Sequence, residues 1–501
     1  MEPIIIDGGP LTPQQVAAVA LDRVPVTTGP RLAERMAPAR NLVDRAVETG
    51  ETVYGITTGF GALATTHIGK DDSETLQYNL IRSHATGVGD PIPDTLVRAM
   101  LLLRARTLAQ GYSGVRPVVV ERLLEMLNRN ILPLIPGQGS VGASGDLAPF
   151  AHMSLPLIGE GYVRAGDQVL PTSETDLVPL ELKTKEGLAL LNGTEGMSAM
   201  GVLALHQARI LVEAADVACS LSIEALMGSS RPFRPEVHNL RPHPGQVSSA
   251  ARIAALISDS EIGSSHASDF EHAVQDAYSL RCAPQVHGAV SDTLDHMEAV
   301  LVRELGSVVD NPIVFPESNE VISGGNFHGQ PLAFVLDFAG IAVAELGSIS
   351  ERRTDRILDP ARSGGLPAFL AANPGLDSGY MISQYVQAAL VAENKVLVHP
   401  ASVESIPTSG SQEDHVSMGW GAGKKLFPIL DNVRRVLAIE IICAVQGVEY
   451  RGPLLPGPGT ARLMELVRNA VPSLSEDRSP SAEIEVVARM IADGRIRATQ
   501  G

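Results

Sequence analysis

Between residues 427 and 448 the chain places Ile429, Leu430, Val433, Val436, Leu437, Ile439, Ile441, Ile442 and Val445 around nearly the whole circumference of a helix. A helix that is apolar on all sides has no face to give to water, so other helices must surround it. Residues 197–226, 332–352 and 378–396 are similarly long and apolar. Several such segments in succession predict a mainly α protein, a large helical bundle with long buried central helices. Rings are scarce (one Trp, eight Tyr and ten Phe in 501 residues), so the core is expected to consist of Leu, Val, Ile and Ala.

The texture divides the chain into three regions. Residues 1–190 form a mixed N-terminal region, where short apolar runs alternate with Gly and Pro, as in YGITTGFGALATTHIG at 54–69 and ILPLIPGQGSVGASGD at 131–146. Between those two runs, 95–127 reads as two helices. Residues 191–450 form the central helical bundle, and 451–501 a C-terminal helical segment in which Pro480 opens a last helix that Gly494 ends. Three loops, 266–288, 323–330 and 405–419, are dense in His, Gln, Asn, Glu, Tyr and Arg. Polar clusters punctuating a buried bundle are where chemistry is expected.

The 39 basic and 57 acidic residues give a net charge of −18, a surface that repels phosphate backbones and anionic lipid. Neither a nucleic acid nor a membrane is expected as a partner. The leading MEPIIIDGG has no basic n-region, which predicts a cytoplasmic protein. Cys219, Cys282 and Cys443 are odd in number, far apart and outside any CxxC, and read as buried thiols rather than disulfides or a zinc site. No HExxH or other compact ligand spacing supports a metal-dependent hydrolase, so no metal is expected. A non-catalytic helical scaffold would have no use for the polar loops.

Gly137-Gln-Gly139-Ser-Val-Gly142 matches GxGxxG, with Glu160 downstream. A dinucleotide site needs a strand before that motif and a helix opening within it. Pro133 and Pro136 interrupt the supposed strand, ASGDLAPFAH reads as a poor helix start, and no strand–helix alternation follows. A different chemistry begins at Ala143-Ser144-Gly145. In a tight glycine-rich turn the unhindered Gly145 nitrogen can attack the Ala143 carbonyl, and loss of two waters leaves a methylidene-imidazolone carrying the former Ser144 side chain as an exocyclic methylene. Such tripeptides are common, so this one needs supporting residues.

Those residues are present. GSVGASGDLAPFAHMSLPLIGEG at 139–161, YGITTGFG at 54–61, LQYNLIRSHATGVG at 76–89, LALLNGTEG at 188–196, QDAYSLRCAPQVHGA at 275–289, SGGNFHGQP at 323–331 and SGSQEDHVSMG at 409–419 occur in one order. Together they resemble the histidine ammonia-lyases of the aromatic amino-acid lyase family. The resemblance implies a homotetramer with active sites built from more than one chain, and a carbon–nitrogen lyase that turns L-histidine into trans-urocanate and ammonia. It also implies no added cofactor, only a self-generated 4-methylidene-imidazol-5-one from Ala143, Ser144 and Gly145.

By the same resemblance Tyr54 removes the β-proton and Tyr278 assists proton movement beside the prosthetic group. Arg281 holds the substrate carboxylate through its planar guanidinium, with Gln275 nearby. Asn192 donates a hydrogen bond near the imidazolone, and Phe327 packs against the reactive ring. Ser83-His84 and Glu413 resemble the histidine-specific members. A carboxylate facing imidazole is paired, whereas a phenyl ring leaves it buried and unpaired. A tyrosine ammonia-lyase or 2,3-aminomutase with the same prosthetic group is the alternative. Two positions depart from the family pattern, Thr57 in the YGITTGFG loop and His287 in PQVHG.

Overall fold

The computed structural model describes residues 2–59, 61, 68–69, 72–266 and 275–498. Among them are eighteen α-helices and only small sheets of two or three short strands, the mainly α architecture expected from the apolar segments. The chain forms two compact units. One comprises Met1–Leu203, Glu298–Leu336 and Pro400–Lys424, the other Ala204–Met297, Asp337–His399 and Lys425–Gly501.

In the first unit the helix Asp94–Ala109 is buried almost throughout, with Asp94 in its first turn and Arg106 in its last to complement the dipole. It packs on Pro13–Leu21 and Pro117–Asn128. Three arginines lie on this helix with Leu101, Leu102 and Leu103, all of them buried. Their guanidinium groups donate to main-chain carbonyls, Arg98 to Val19 and Leu127, Arg106 to Gly9 and Ser307. Buried charge is tolerated here because it ends loose carbonyls of neighbouring segments.

The glycine-rich run is bordered by two three-residue strands. Ile131–Pro133 is the edge of an antiparallel sheet with Tyr162–Ala165 and Gln168–Pro171, and Pro136–Gln138 pairs antiparallel with Val88–Pro91. Each proline-bearing strand has a single neighbour, the place where a missing N–H does no harm. The one parallel strand pair among the described residues is Ile4–Ile6 with Val26–Thr28, so no dinucleotide-type sheet stands behind the GxGxxG. One local expectation is corrected. A helix does open directly after the tripeptide, Leu147–Ser154, with the Asp146 carbonyl accepting the Phe150 N–H and Pro149 in the first turn, where proline is harmless.

In the second unit all nine apolar residues singled out between 427 and 448 are at most 1% exposed. They belong to the helix Gly419–Glu449, whose unit-two portion begins at Lys425. Glu440, on the same helix, is buried and holds the buried Arg353 through two hydrogen bonds of 2.5 and 2.8 Å, while Ser222 donates to it at 2.6 Å. The last helix runs Ser481–Ala492 between Pro480 and a left-handed Gly494. Residues 266–288, read as a loop, contain the helix Tyr278–Arg281 and the start of Ala283–Glu304. Cys219 and Cys443 are buried as expected, but Cys282 is only half-buried. The helix Gln330–Leu358 is apolar and long enough to cross a membrane, yet 56% of its apolar window is buried inside the protein, as in a core helix.

The Arg353–Glu440 pair carries a stability prediction. Glu440→Gln leaves a buried guanidinium uncompensated and is expected to cost about 3–5 kcal/mol, read as a lowered denaturation midpoint. Glu236→Gln, which breaks the exposed Arg234–Glu236 pair, is expected to leave the midpoint where it was.

Candidate active site

Ala143-Ser144-Gly145 is folded back on itself. Ser144 and Gly145 both adopt left-handed backbone, with φ of +51° and +79°. For a serine this conformation costs about 1–2 kcal/mol, so surrounding contacts must enforce it. The enforcing segment is Asn192-Gly193. The Gly193 N–H donates to the Ser144 carbonyl at 3.3 Å, and its own carbonyl accepts the Asp146 N–H at 3.0 Å. A Cβ on Gly145 would overlap the Gly193 carbonyl, so glycine is the one residue that permits this approach.

The next residue, Asp146, is fully buried. Ser140 Oγ donates to one carboxyl oxygen at 3.0 Å and the Met197 N–H to the other at 2.9 Å. Burial nevertheless dominates and pushes its carboxyl up to about 7. The glycine-rich run is held from its other side by the segment after the 405–419 loop, where the Met418 N–H donates to Val141 at 2.9 Å and Trp420 Nε1 to Gly137 at 3.1 Å.

That anchoring brings Glu413 to the tripeptide. A cleft of about 240 Å³ is lined by Ser83, His84, Ser140, Ala143, Gly145, Thr408 and Glu413, among others. His84 ends the helix Ser73–His84, which the pairing of Val88–Pro91 with Pro136–Gln138 fixes beside Gly139. Ser83 Oγ lies 3.1 Å from His84 Nδ1, and Thr408 Oγ1 donates to Glu413 at 2.7 Å. Burial lowers the His84 pKa, against the Leu80 carbonyl and the Glu413 carboxylate, which favour the charged ring. His84, Ala143, Gly145 and Glu413 are therefore brought together.

The other expected site residues lie outside this cleft lining. Tyr54 is half-buried in a turn whose neighbour Gly55 packs on Leu188 and Pro312. Phe60 and residues 62–67 of its loop, and 267–274 of the 266–288 cluster, lie outside the described residues. Asn192 is buried, with Nδ2 donating to the Asn311 carbonyl at 2.8 Å. Phe327 is half-buried near Asn326, which donates to Val308. Gln275, Tyr278 and Arg281 belong to the second unit. Gln275 and Tyr278 are exposed, and the Arg281 guanidinium sits 4.5 Å from the Tyr278 ring centroid while Nε donates to the Asp276 carbonyl.

A match to the family model "Aromatic amino acid lyase" spans residues 11–469. The chain belongs to the aromatic amino acid lyase family. It is 50% identical to a histidine ammonia-lyase of Gloeobacter violaceus over 98% of this chain and 96% of that one. Among solved structures, histidine ammonia-lyase from Trypanosoma cruzi superposes with a TM-score of 0.91 at 40% identity, covering 99% and 94% of the two chains. Tyrosine aminomutase from Streptomyces globisporus superposes with a TM-score of 0.93 at 39% identity, covering 99% and 98%. As a member of this lyase family the chain is a carbon–nitrogen lyase.

The two departures from the aromatic amino acid lyase pattern have local explanations. Thr57 Oγ1 donates to the Glu51 carbonyl at 2.6 Å and accepts the Val53 N–H at 2.8 Å, closing the Tyr54 turn. His287 is buried outside the cleft and bonds Asp216 at 2.7 Å. Sequence reasoning missed Asp146 and Arg104. The signal for Asp146 was an acid directly after a run of small residues, and for Arg104 a charge inside LLLRARTLA.

Asp146 makes a pH prediction. Its folded pKa of about 7 lies above the ordinary aspartate value of 3.8, so between those two values the folded state binds a proton that the unfolded state has lost. Its contribution is complete below pH 3.8 and is lost at about 1.4 kcal/mol per pH unit as pH rises to 7. The stability advantage of the parent protein over Asp146→Asn is expected to be smaller at pH 8 than at pH 5, measured by denaturant unfolding at both.

Proposed function

We propose that this chain eliminates ammonia from L-histidine to give trans-urocanate, the first step of histidine degradation, with a prosthetic group made from Ala143, Ser144 and Gly145. The carrying observation is that Ala143 and Gly145 share one cleft with His84 and Glu413. The full-length likeness to proteins named histidine ammonia-lyase supports the same substrate.

The tripeptide fits the group. Its left-handed Ser144 and Gly145, with no Cβ at Gly145 to keep Gly193 away, suit a five-membered closure. When formed, the ring supplies the strong electrophile that no ordinary side chain offers and makes the substrate amine a better leaving group. The chain's own residues do the rest. Glu413 accepts the substrate imidazole N–H, and His84 meets the other ring nitrogen. Arg281 takes the carboxylate bidentately, its guanidinium lying over the Tyr278 ring, with Gln275 adding a polar contact. Tyr54 Oη removes the β-proton, and Tyr278 assists proton movement. Asn192 and Phe327 line the reacting end.

A homotetramer with active sites drawn from more than one chain is part of the proposal. Exposed Ile341, Ile382, Tyr385, Val386 and Val396 support it, because such apolar side chains are usually covered in an assembly. The second reading, a tyrosine ammonia-lyase or a 2,3-aminomutase that returns the amine to the β-carbon, has the likeness to a tyrosine aminomutase behind it and is less supported than the first.

Purified protein incubated with L-histidine, L-tyrosine or L-phenylalanine, without added cofactor, is expected to release ammonia and a conjugated product from histidine alone. Product from tyrosine, or a β-amino acid, overturns the substrate assignment. Ser144→Ala is expected to abolish turnover with an unchanged circular dichroism spectrum. Glu413→Gln is expected to lower kcat/KM for histidine by about 10- to 100-fold, the worth of a hydrogen bond to a charged group.

A further inference from the structure

The element that holds the tripeptide is itself held by one side chain. Arg104 is wholly buried on the helix Asp94–Ala109. One guanidinium nitrogen donates to the carbonyls of Ala189 and Asn192, and the other pairs with Glu195. Its central carbon lies 5.2 Å from the ring centroid of Phe150, on the helix that follows the tripeptide. Arg104 therefore touches both segments that bracket residues 143–146. The cyclisation itself is part of the function proposed above, and the role of Arg104 rests on it.

Ring closure forms a bond from the Gly145 nitrogen to the Ala143 carbonyl carbon. The Ala143 oxygen leaves as water with the amide protons of Gly145 and Ser144, leaving a C=N bond. The Ser144 hydroxyl leaves with the Ser144 Cα proton as a second water, leaving the exocyclic C=C bond. Neither step is a net oxidation or reduction. The second step puts negative charge on the Ser144 carbonyl oxygen as the Cα proton departs. That oxygen accepts the Gly193 N–H. The same Asn192–Gly193 peptide has its carbonyl on Arg104. A cation on a peptide oxygen polarises the unit and makes its N–H a stronger donor.

We propose that Arg104 is the positioning residue for self-cyclisation, acting through the Asn192–Gly193 peptide to hold Gly193 against the tripeptide and to strengthen its donor to the Ser144 carbonyl. Glu195 and Phe150 fix the guanidinium in that place. A misplacement of even about 1 Å costs an oriented reaction on the order of 100-fold, so loss of Arg104 leaves most chains undehydrated after ordinary expression.

The test is the intact mass of the folded protein, which reads the two waters directly without any turnover assay. Wild-type protein is expected to have lost two waters, and Ser144→Ala, which has no hydroxyl to eliminate, sets the other limit of at most the one water that ring closure releases. If the wild-type chain keeps both waters, the prosthetic-group reading itself has failed, and with it this inference. Given dehydrated wild type, folded Arg104→Met is expected to be mostly undehydrated, with Arg104→Lys intermediate because its ammonium can reach one carbonyl but not the whole set. Phe150→Leu, which loosens one contact and keeps the cation, is expected to slow water loss severalfold in a refolding time course. Folded Arg104→Met and Arg104→Lys that dehydrate as fast as wild type overturn the proposal. Should Arg104→Met not fold, Arg104→Lys and Phe150→Leu decide, and wild-type rates in both overturn it.

Discussion

The approach of Gly193 to Gly145 is the contact on which the candidate site depends. Two backbone segments meet there with no side chain between them, and the partners on either side are main-chain hydrogen bonds from Gly193 to Ser144 and from Asp146 to Gly193. A non-glycine residue at 145 would collide with a carbonyl rather than with a flexible side chain, so the site has no cheap way to adapt. Much of the first unit can be understood as scaffolding for this meeting. The buried helix Asp94–Ala109 brings up Arg104, the Asn311 carbonyl holds the Asn192 amide, and the segment of Met418 and Trp420 closes on the glycine-rich run.

The second unit uses buried charge in a related way. Asp216 accepts from Ser249, Arg252 and His287, and His287 Nε2 faces Arg353 at 3.5 Å. With Nδ1–H donating to Asp216 and Nε2 accepting from Arg353, a neutral imidazole satisfies both neighbours. Burial lowers its pKa in keeping with that, although Asp216 pulls the other way. Two carboxylates, Asp216 and Glu440, then balance two guanidinium groups, Arg252 and Arg353. Arg353 also donates to the Ser279 carbonyl at 3.3 Å, which ties the network to the short helix carrying Tyr278 and Arg281. His287 is thus a polar departure inside a core that has a specific partner for each of its ring nitrogens.

The fold class and the buried central helix were legible because an apolar circumference has one physical solution. The helix at Leu147–Ser154 was not, since Ser-Gly-Asp-Leu-Ala-Pro is locally weak and the helix is carried by burial of Phe150, Ala151 and Met153. The 266–288 segment misled for the opposite reason. Its polar density suggested loop, yet Tyr278 and the residues after Cys282 are helical, and His287 among them finds tertiary partners in Asp216 and Arg353. At the site, residues with distinctive chemistry, such as Ser144 and His84, stood out in the sequence. Arg104 did not, because an arginine in a helix is usually a surface residue, and what makes it special is contact with residues about 85 to 90 positions away. Asp146 was marked only by its place after a run of small residues, and its perturbed carboxyl comes from burial that no local pattern encodes.

His84 and Glu413 also bear on how the proposed substrate would be told from its aromatic analogues. Burial holds the His84 ring toward neutrality, so it can offer one donor or one acceptor without a charge to bury. Glu413 has one oxygen on the Thr408 hydroxyl and further lone pairs to offer. An imidazole brings a ring N–H to the carboxylate and a second nitrogen to whatever His84 presents. A phenyl ring satisfies neither, and a polar group that is covered by substrate without a partner costs up to about 1–3 kcal/mol. A phenol restores one hydrogen bond but at the far end of a longer ring, so rejection of tyrosine must come from where the hydroxyl would fall. For the proposed substrate, discrimination against phenylalanine would then rest on polar pairing, and discrimination against tyrosine on the room in a cleft of about 240 Å³ that Thr408 and Glu413 help to line.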